Sequence, residues 1–413
     1  MAIFLEVARA IAEFEPVTFA ADPDLVEDVQ SRVAAAGPTV HPIDVRPIAL
    51  NDSWTRDNGP MFVVRDGAAG REVAGVDWEF NAWGGLYDDF SLDKLVASRI
   101  CESQGIPVIK KDMVLEGGSV HLDGEGTLLT TEECLCNPNR NPSMTKEEIE
   151  AELRATLGVS KIIWLPRGLA ADTDTNGHVD NIACFARPGV VLLSWTDDEA
   201  DEQHARSVEA LRVLEAAQDA RGRQLSVIKL PLSKPMHYTA EEVQGLEGVS
   251  DDDEMARRAG SRLAGSYVNF YICNGGIVMP GWGDAEADAR AKAVLEESFP
   301  ERKVVQLMTR EVLLGGGNVH CITQQQPVGA PAQQLAALYP IIFPVALAVA
   351  AVGYSLGRHL LTNPEVFPGK KARAEQYSEE ELVARGKGYA NSLFRAAQEG
   401  HGLKGIFGDV PKN

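Results

Sequence analysis

Four short stretches of the chain combine chemically able side chains with glycines that let backbones crowd together. They are Asp52-Ser53-Trp54-Thr55-Arg56-Asp57-Asn58-Gly59-Pro60, Leu115-Glu116-Gly117-Gly118-Ser119-Val120-His121, Asp174-Thr175-Asn176-Gly177-His178-Val179-Asp180-Asn181 and Gly315-Gly316-Gly317-Asn318-Val319-His320-Cys321. If they meet, Asp57, Asp174 and Asp180 repel each other in one confined site unless a cation enters. A planar guanidinium suits such a site, because carboxylates take its N–H groups in forked geometry. Its carbon then lies open above the plane. A thiolate at Cys321 is a capable attacker there, and the cation itself would help to lower the thiol pKa. His178 can protonate a leaving amine and later activate water, with Glu116 orienting the imidazole and stabilising its charge.

Each of these residues also has an ordinary explanation. A single cysteine is commonly a small buried hydrophobe, Asp57 beside Arg56 fits a surface ion pair, His178 could cap a turn, and Glu116 could satisfy backbone donors. His121 and His320 point away from the reactive position by strand alternation and are read as structural. A zinc site competes, since Cys and His are both present. However, the chain has neither the H-x-E with P-C-x-x-C pair of zinc deaminases nor an H-E-x-x-H helix. A papain-type hydrolase needs its Cys early, at a helix start, whereas Cys321 comes late and on a strand. Metal-free thiol chemistry without a cofactor is the expectation.

What must position these turns is a repeated unit. The clearest copy is a strand at 127–131, a helix over 146–157 with Ile149, Leu153 and Leu157 at four-residue spacing and Gly158 as its stop, then a strand at 161–166. Further copies run 190–195, 199–217 and 225–230; 277–282, 284–298 and 303–308; and 76–80, 91–104 and 107–110. The first copy is incomplete: a helix over 1–14 and a closing strand at 16–20, with a helix at 23–36 and a strand at 39–45 inserted after it. Its opening strand is missing, and the repeat predicts one upstream of Met1. Each unit then enters one of the turns and one more strand; the turn of the fourth, Ser266-Tyr267-Val268-Asn269, carries no ionisable group. The expected fold is therefore α/β, a five-bladed α/β propeller of pseudo-fivefold strand-helix-strand repeats. Arranged about an axis, it brings Asp57, Glu116, Asp174, His178, Asp180 and Cys321 to one centre.

With 39 basic against 60 acidic residues the 413-residue chain carries −21, which argues against a nucleic-acid partner. It suits a cationic small substrate. Six cysteines without a C-x-x-C pair argue against a disulfide framework. The charge is unevenly spread: residues 328–413 hold nine basic and seven acidic groups. Two pieces are read, 1–326 and 327–413, with Gln324-Gln325-Gln326-Pro327 as linker. In the second, residues 335–357 are apolar and as a helix would extend about 35 Å, enough to cross a hydrocarbon core. Lys370, Lys371 and Arg373 behind it would place the C-terminus on the cytoplasmic or matrix side.

The four turns, with Trp-Thr-Arg-Asp-Asn-Gly-Pro at 54–60, Leu-Glu-Gly-Gly at 115–118, Thr-Asn-Gly-His-Val-Asp at 175–180 and Gly-Gly-Gly-Asn-Val-His-Cys at 315–321, resemble those of the agmatine deiminases. These belong to the guanidino-group-modifying superfamily, with the pentein fold, and to the Porphyromonas-type peptidylarginine deiminase family. The resemblance covers about 1–326. It implies hydrolysis of agmatine to N-carbamoylputrescine and ammonia through a covalent amidino-cysteine, in putrescine biosynthesis. It makes Cys321 the nucleophile, His178 the acid/base and Glu116 its partner. Asp57 and Asp180 would hold the guanidinium, Asp174 would contact the substrate, and Trp54 would line the pocket. Members of the family begin with a Trp-rich strand that this chain lacks, leaving an unpaired edge in the first blade.

Deimination of free or peptide-terminal arginine is the competing activity, and an inactive binding module tethered to a membrane is a competing class. A homo-oligomer is expected, cytoplasmic for the enzyme piece. Arg358-His359-Leu360-Leu361-Thr362-Asn363-Pro364-Glu365-Val366, behind the apolar stretch, resembles the B12D family, related to the MLRQ subunit, and implies a mitochondrial-type membrane tail.

Overall fold

Parallel β-α-β units build the protein. The computed structural model describes residues 1–67, 70–246 and 257–328. The first unit pairs β1 (Val17–Ala21) with β2 (Ile43–Pro47) in parallel, with the helix Val26–Ala35 between them. Each of the other four sheets has three strands. They comprise β3 (Met61–Gly67), β4 (Gly70–Glu79) and β5 (Val108–Val114), then β6 (Val120–Leu122), β7 (Thr127–Thr131) and β8 (Lys161–Leu165). Next come β9 (Ala183–Arg187), β10 (Val190–Trp195) and β11 (Ser226–Pro231), and finally β12 (Tyr271–Cys273), β13 (Gly276–Gly281) and β14 (Lys303–Met308). The middle strand always runs parallel to the third, and β6/β7, β9/β10 and β12/β13 are antiparallel pairs.

The helices start and stop where their sequences say they should. Thr145 and Glu148 close a reciprocal capping box over Lys146–Leu157, whose Ile149 and Leu153 are buried and whose end is Gly158 at φ 68°. Asp201 caps Glu202–Ala216 and Asp284 caps Ala285–Ser298. The middle strands are apolar on both faces. Leu128, Leu129, Val191, Leu192, Leu193, Ile277, Val278 and Met279 are all fully buried between a helix on one side and neighbouring sheets on the other.

The strand-helix-strand repeat is present in the four later places, most bounds falling within a few residues of those expected; β4 begins at Gly70 rather than 76, and the helix expected over 91–104 is Val96–Ser103. The first sheet has two strands, and β1 has no strand partner on its other edge among the described residues. The helix Ala2–Ile11 buries Ile3, Val7 and Ile11 as its spacing predicts. The inserted helix and strand are part of the sheet itself, since β2 is β1's hydrogen-bonded neighbour.

One expectation is corrected here. Cys321 does not lie on a strand: it sits in a turn in which Ile322 N donates to Asn318 O. The physical reason is local, because residues 321–328 form no ladder with any strand and the chain closes a helical-type turn instead. The apolar stretch 335–357 lies outside the described residues, and among those described no helix is long and apolar enough to cross a membrane.

Candidate functional site

In each unit the turn just ahead of the first sheet strand is where the site residues sit. Thr55–Asn58 is one helical turn leading to β3, Gly117–Ser119 a 3₁₀ turn leading to β6, and Val179–Ile182 a helical turn leading to β9. Tight turns here expose side chains toward the neighbouring units while keeping the backbone paired. Asp172 shows how: it accepts from Thr175 N, from His178 N and from Asn181 Nδ2, so one buried carboxylate fixes the whole His178 turn.

The structure brings Asp57, Glu116, His178, Asp180 and Cys321 together, all buried. His178 Nδ1 is 3.9 Å from Asp57 Oδ2, and Nε2 is 3.9 Å from Glu116 Oε2. Cys321 Sγ is 3.5 Å from Asp180 Oδ2 and accepts from Asn269 Nδ2 at 3.1 Å. Asp57 takes a backbone donor from Gly118 at 2.8 Å and the Trp83 indole N–H at 3.0 Å. Trp54 packs in one cluster with Cys321, Trp83 and Phe80. Asp174 stands apart at the rim, 2.9 Å from Arg257 Nη2.

Several buried atoms here have no partner: both His178 nitrogens, Glu116 Oε2 and Asp180 Oδ1. Orphaned polar atoms of this kind are costly unless another group meets them. The charges are correspondingly displaced. Burial, then the neighbouring Asp180 and Glu116, push Asp57 up to about 6 despite the His178 imidazole. Burial likewise raises Asp180. Burial opposes ionisation of Glu116, but the Arg140 guanidinium and His178 outweigh it and hold the carboxyl down at about 2. His178 is held well above its ordinary value, Asp57 and Glu116 overcoming its burial. The Cys321 thiol is pushed well above the usual range by burial, Asp180 and Asp57. The thiol is thus held protonated among surplus carboxylates, and an entering cation relieves both.

Gly118 shows how tightly the parts meet. A Cβ there would lie 2.6 Å from His178 Nδ1, 2.9 Å from Asp57 Oδ1 and 3.0 Å from Asp180 Oδ2. Gly118→Ala is expected to lower kcat by about 100-fold or more, since an ångström of misplacement costs that much. Thermal melting alongside steady-state kinetics checks it: a fold that melts normally with unchanged turnover would show that the cluster tolerates displacement.

Sequence reasoning placed two residues wrongly and missed others. His320 does not point away: its Nδ1 is 2.8 Å from Asp180 Oδ2, because the turn at 318–321 lacks strand alternation. Asn269, set aside for want of charge, contacts the thiol. Trp83 and Arg140 were not singled out, and nothing in their spacing marks them; Arg140 lies in Asn-Pro-Asn-Arg-Asn-Pro at 137–142, a turn-like run that did merit attention. Among the described residues one group could ligate a metal, Glu116, Cys134 and His178, with ligand atoms within 4.8 Å of one another. Arg140 already occupies one oxygen of Glu116.

Residues 1–327 match the family model described as Porphyromonas-type peptidyl-arginine deiminase, and residues 334–389 the one described as NADH-ubiquinone reductase complex 1 MLRQ subunit. The chain is 50% identical over 335 residues to an agmatine deiminase of Medicago truncatula, covering 79% of this chain and 87% of that protein. It is 51% identical over 331 residues to one of Pseudomonas aeruginosa, strain UCBPP-PA14, covering 79% and 87%. Among solved structures, the agmatine deiminase of Enterococcus faecalis superposes with a TM-score of 0.72 at 39% identity, covering 79% of this chain and 87% of that one.

Proposed function

Because the chain belongs to the Porphyromonas-type peptidyl-arginine deiminase family and has its pentein-type α/β fold, we infer that it is an agmatine deiminase. It hydrolyses the guanidinium of agmatine to N-carbamoylputrescine and ammonia, a step toward putrescine. The observation that carries this reading is the convergence of Cys321, His178 and the Asp57 and Asp180 carboxylates around unpartnered buried polar atoms.

In the proposed mechanism Asp57 and Asp180 take the guanidinium N–H groups in forked geometry. Their charge then no longer opposes ionisation of Cys321, and the thiol gives its proton to solvent as substrate settles. The thiolate attacks the guanidinium carbon, forming a C–S bond. His178, cationic beside Glu116 and Asp57, gives its proton to the departing amine; the C–N bond breaks and ammonia leaves. The amidino-thioether remains. His178, now neutral, takes a proton from water as its oxygen attacks the same carbon. The C–S bond breaks, the remaining O–H proton passes to the departing Cys321 sulfur and restores the resting thiol, and the ureido product is released. Glu116 stabilises the imidazolium before the first proton transfer and after the second, and Trp54 walls the pocket.

Asp174, at the rim, is assigned to the distal ammonium of agmatine. Arg257 occupies that carboxylate in this structure, which supports its taste for a cation. The same Arg257 favours a second reading, free arginine, by offering a cation where an α-carboxylate would come. Assay of ureido product from both substrates separates them. Agmatine is expected to be preferred, and Asp174→Asn to raise KM for agmatine by about 10- to 100-fold with kcat little changed, the worth of one charge-assisted hydrogen bond. Faster turnover of arginine, or an unmoved KM, would reverse the assignment.

The finer features of the fold belong to the same proposal. Closure of the five units about a pseudo-fivefold axis is supported by the meeting of turns from four of them with the turn of Cys321. A division into 1–326 and 327–413 is supported by the two family matches, which meet no closer than 327 and 334. A membrane tether at 335–357 is supported by its composition.

A further inference from the structure

One guanidinium outside the reaction path ties together three segments of the site. Arg140 is fully buried, and its Nε donates to Glu116 Oε1 at 2.5 Å. Its Nη1 donates to the Trp83 carbonyl at 2.8 Å, to Asn139 Oδ1 at 2.7 Å and to Asn176 Oδ1 at 2.8 Å, and its Nη2 to the Thr175 carbonyl at 3.1 Å. Trp83 in turn donates its indole N–H to Asp57, and Thr175-Asn176-Gly177 lead directly into His178.

A second, conformational observation coincides with the first. Among the described residues the non-glycine residues with positive φ are Ala82, Trp83 and Asn176, at 53°, 53° and 58°. Such backbone costs free energy in L residues and persists only where the surroundings over-determine it. Two of the three are held by Arg140, and the third adjoins Trp83. Gly84, at φ 91°, completes this turn; a Cβ there would lie 2.3 Å from Asn139 Nδ2, so the Arg140 segment packs directly against it.

We propose that Arg140 is a positioning residue for deimination, its planar fork holding Glu116 ionised toward His178 and fixing the strained turns that carry Trp83 and Asn176. This rests on the deiminase reading above. Lysine, a single point charge, cannot serve the acceptors of Nε, Nη1 and Nη2 together. The ionisable groups facing Glu116 are Arg140, His178, Cys134 and Asp57.

The test compares Arg140→Met and Arg140→Lys with wild type, each with and without Glu116→Gln, using agmatine as substrate. Arg140→Met is expected to lower kcat by roughly 100- to 1000-fold with KM little changed, and to move the acid limb of kcat to higher pH. In the Glu116→Gln background the same change should cost only about tenfold, the share carried by the turns, because coupled residues are not additive. Arg140→Lys, which keeps a charge, should restore the acid limb while turnover stays about tenfold low.

The coupling is also read without turnover, in melting temperature against pH. Glu116 is depressed in the folded protein, so its stabilisation is present above its unfolded pKa and lost as pH falls through about 2. Without Arg140 its burial raises it, so the deficit of Arg140→Met relative to wild type should grow as pH rises from 4 to 8, and that growth should vanish with Glu116→Gln. A deficit equal at every pH, or equal kinetic cost in both backgrounds, overturns the proposal. Wild-type inactivity toward agmatine with the pH-dependent deficit intact would fault the deiminase reading and keep the Arg140–Glu116 coupling.

Discussion

Cys321→Ala removes agmatine turnover by about 10⁵-fold or more while leaving the fold and the binding of agmatine in place. The magnitude follows from losing the nucleophile, for which a protein seldom holds a substitute. Here the groups touching Sγ are the Asp180 carboxylate and the Asn269 amide, neither able to form the covalent intermediate. Another buried thiol, Cys134, lies by His178 and Glu116. Removing one sulfur from a site that already contains unpartnered atoms costs little packing, so melting should stay near wild type. Titration calorimetry with agmatine on the variant checks the binding half. Residual turnover within a factor of ten of wild type would mean that the thiol is not the attacker.

Asp180→Asn has two effects of opposite sign. Deimination falls by about 1000-fold, since one arm of the guanidinium clamp loses its charge and a charged pair broken in a buried site is costly. Alkylation of the resting thiol by iodoacetamide rises instead. Cys321 is held above the ordinary thiol range first by burial and next by Asp180 and Asp57. Removing one of those charges lowers it, so the inflection of alkylation rate against pH moves to lower pH. A purely structural lesion would slow both reactions. Alkylation that is unchanged in rate and inflection would mean that burial alone silences the thiol, and the proposed release of Cys321 by substrate would lose its basis.

Much of this was legible in the order of residues. Period and capping located the β-α-β units, because Ile149 and Leu153 at helical spacing and Gly158 behind them leave few other ways to bury the apolar face. Glycines beside Glu116, His178 and Cys321 marked the turns, and Gly118 shows why: nothing larger fits between His178, Asp57 and Asp180. Other features depended on partners distant in sequence. Arg140 and Glu116 are 24 residues apart, and Asn269 is 52 from Cys321, separations with no periodic signature. Left-handed backbone at Trp83 and Asn176 is likewise set by tertiary contacts that residue type does not announce. His320 was misjudged because alternation was assumed where the chain forms a turn. Arg257 on Asp174 was invisible for the same reason as Arg140: an ion pair between loops 83 residues apart.

The most direct test of the account is the intact mass of the enzyme quenched in acid during steady-state turnover of agmatine, beside Cys321→Ala under the same conditions. The account predicts a fraction of wild-type chains heavier by one agmatine less one ammonia, the added mass mapping to the peptide that contains Cys321, and none in the variant. Continued turnover with no adduct under conditions where breakdown of the intermediate is slowed, or an adduct mapping to Cys134, would contradict it.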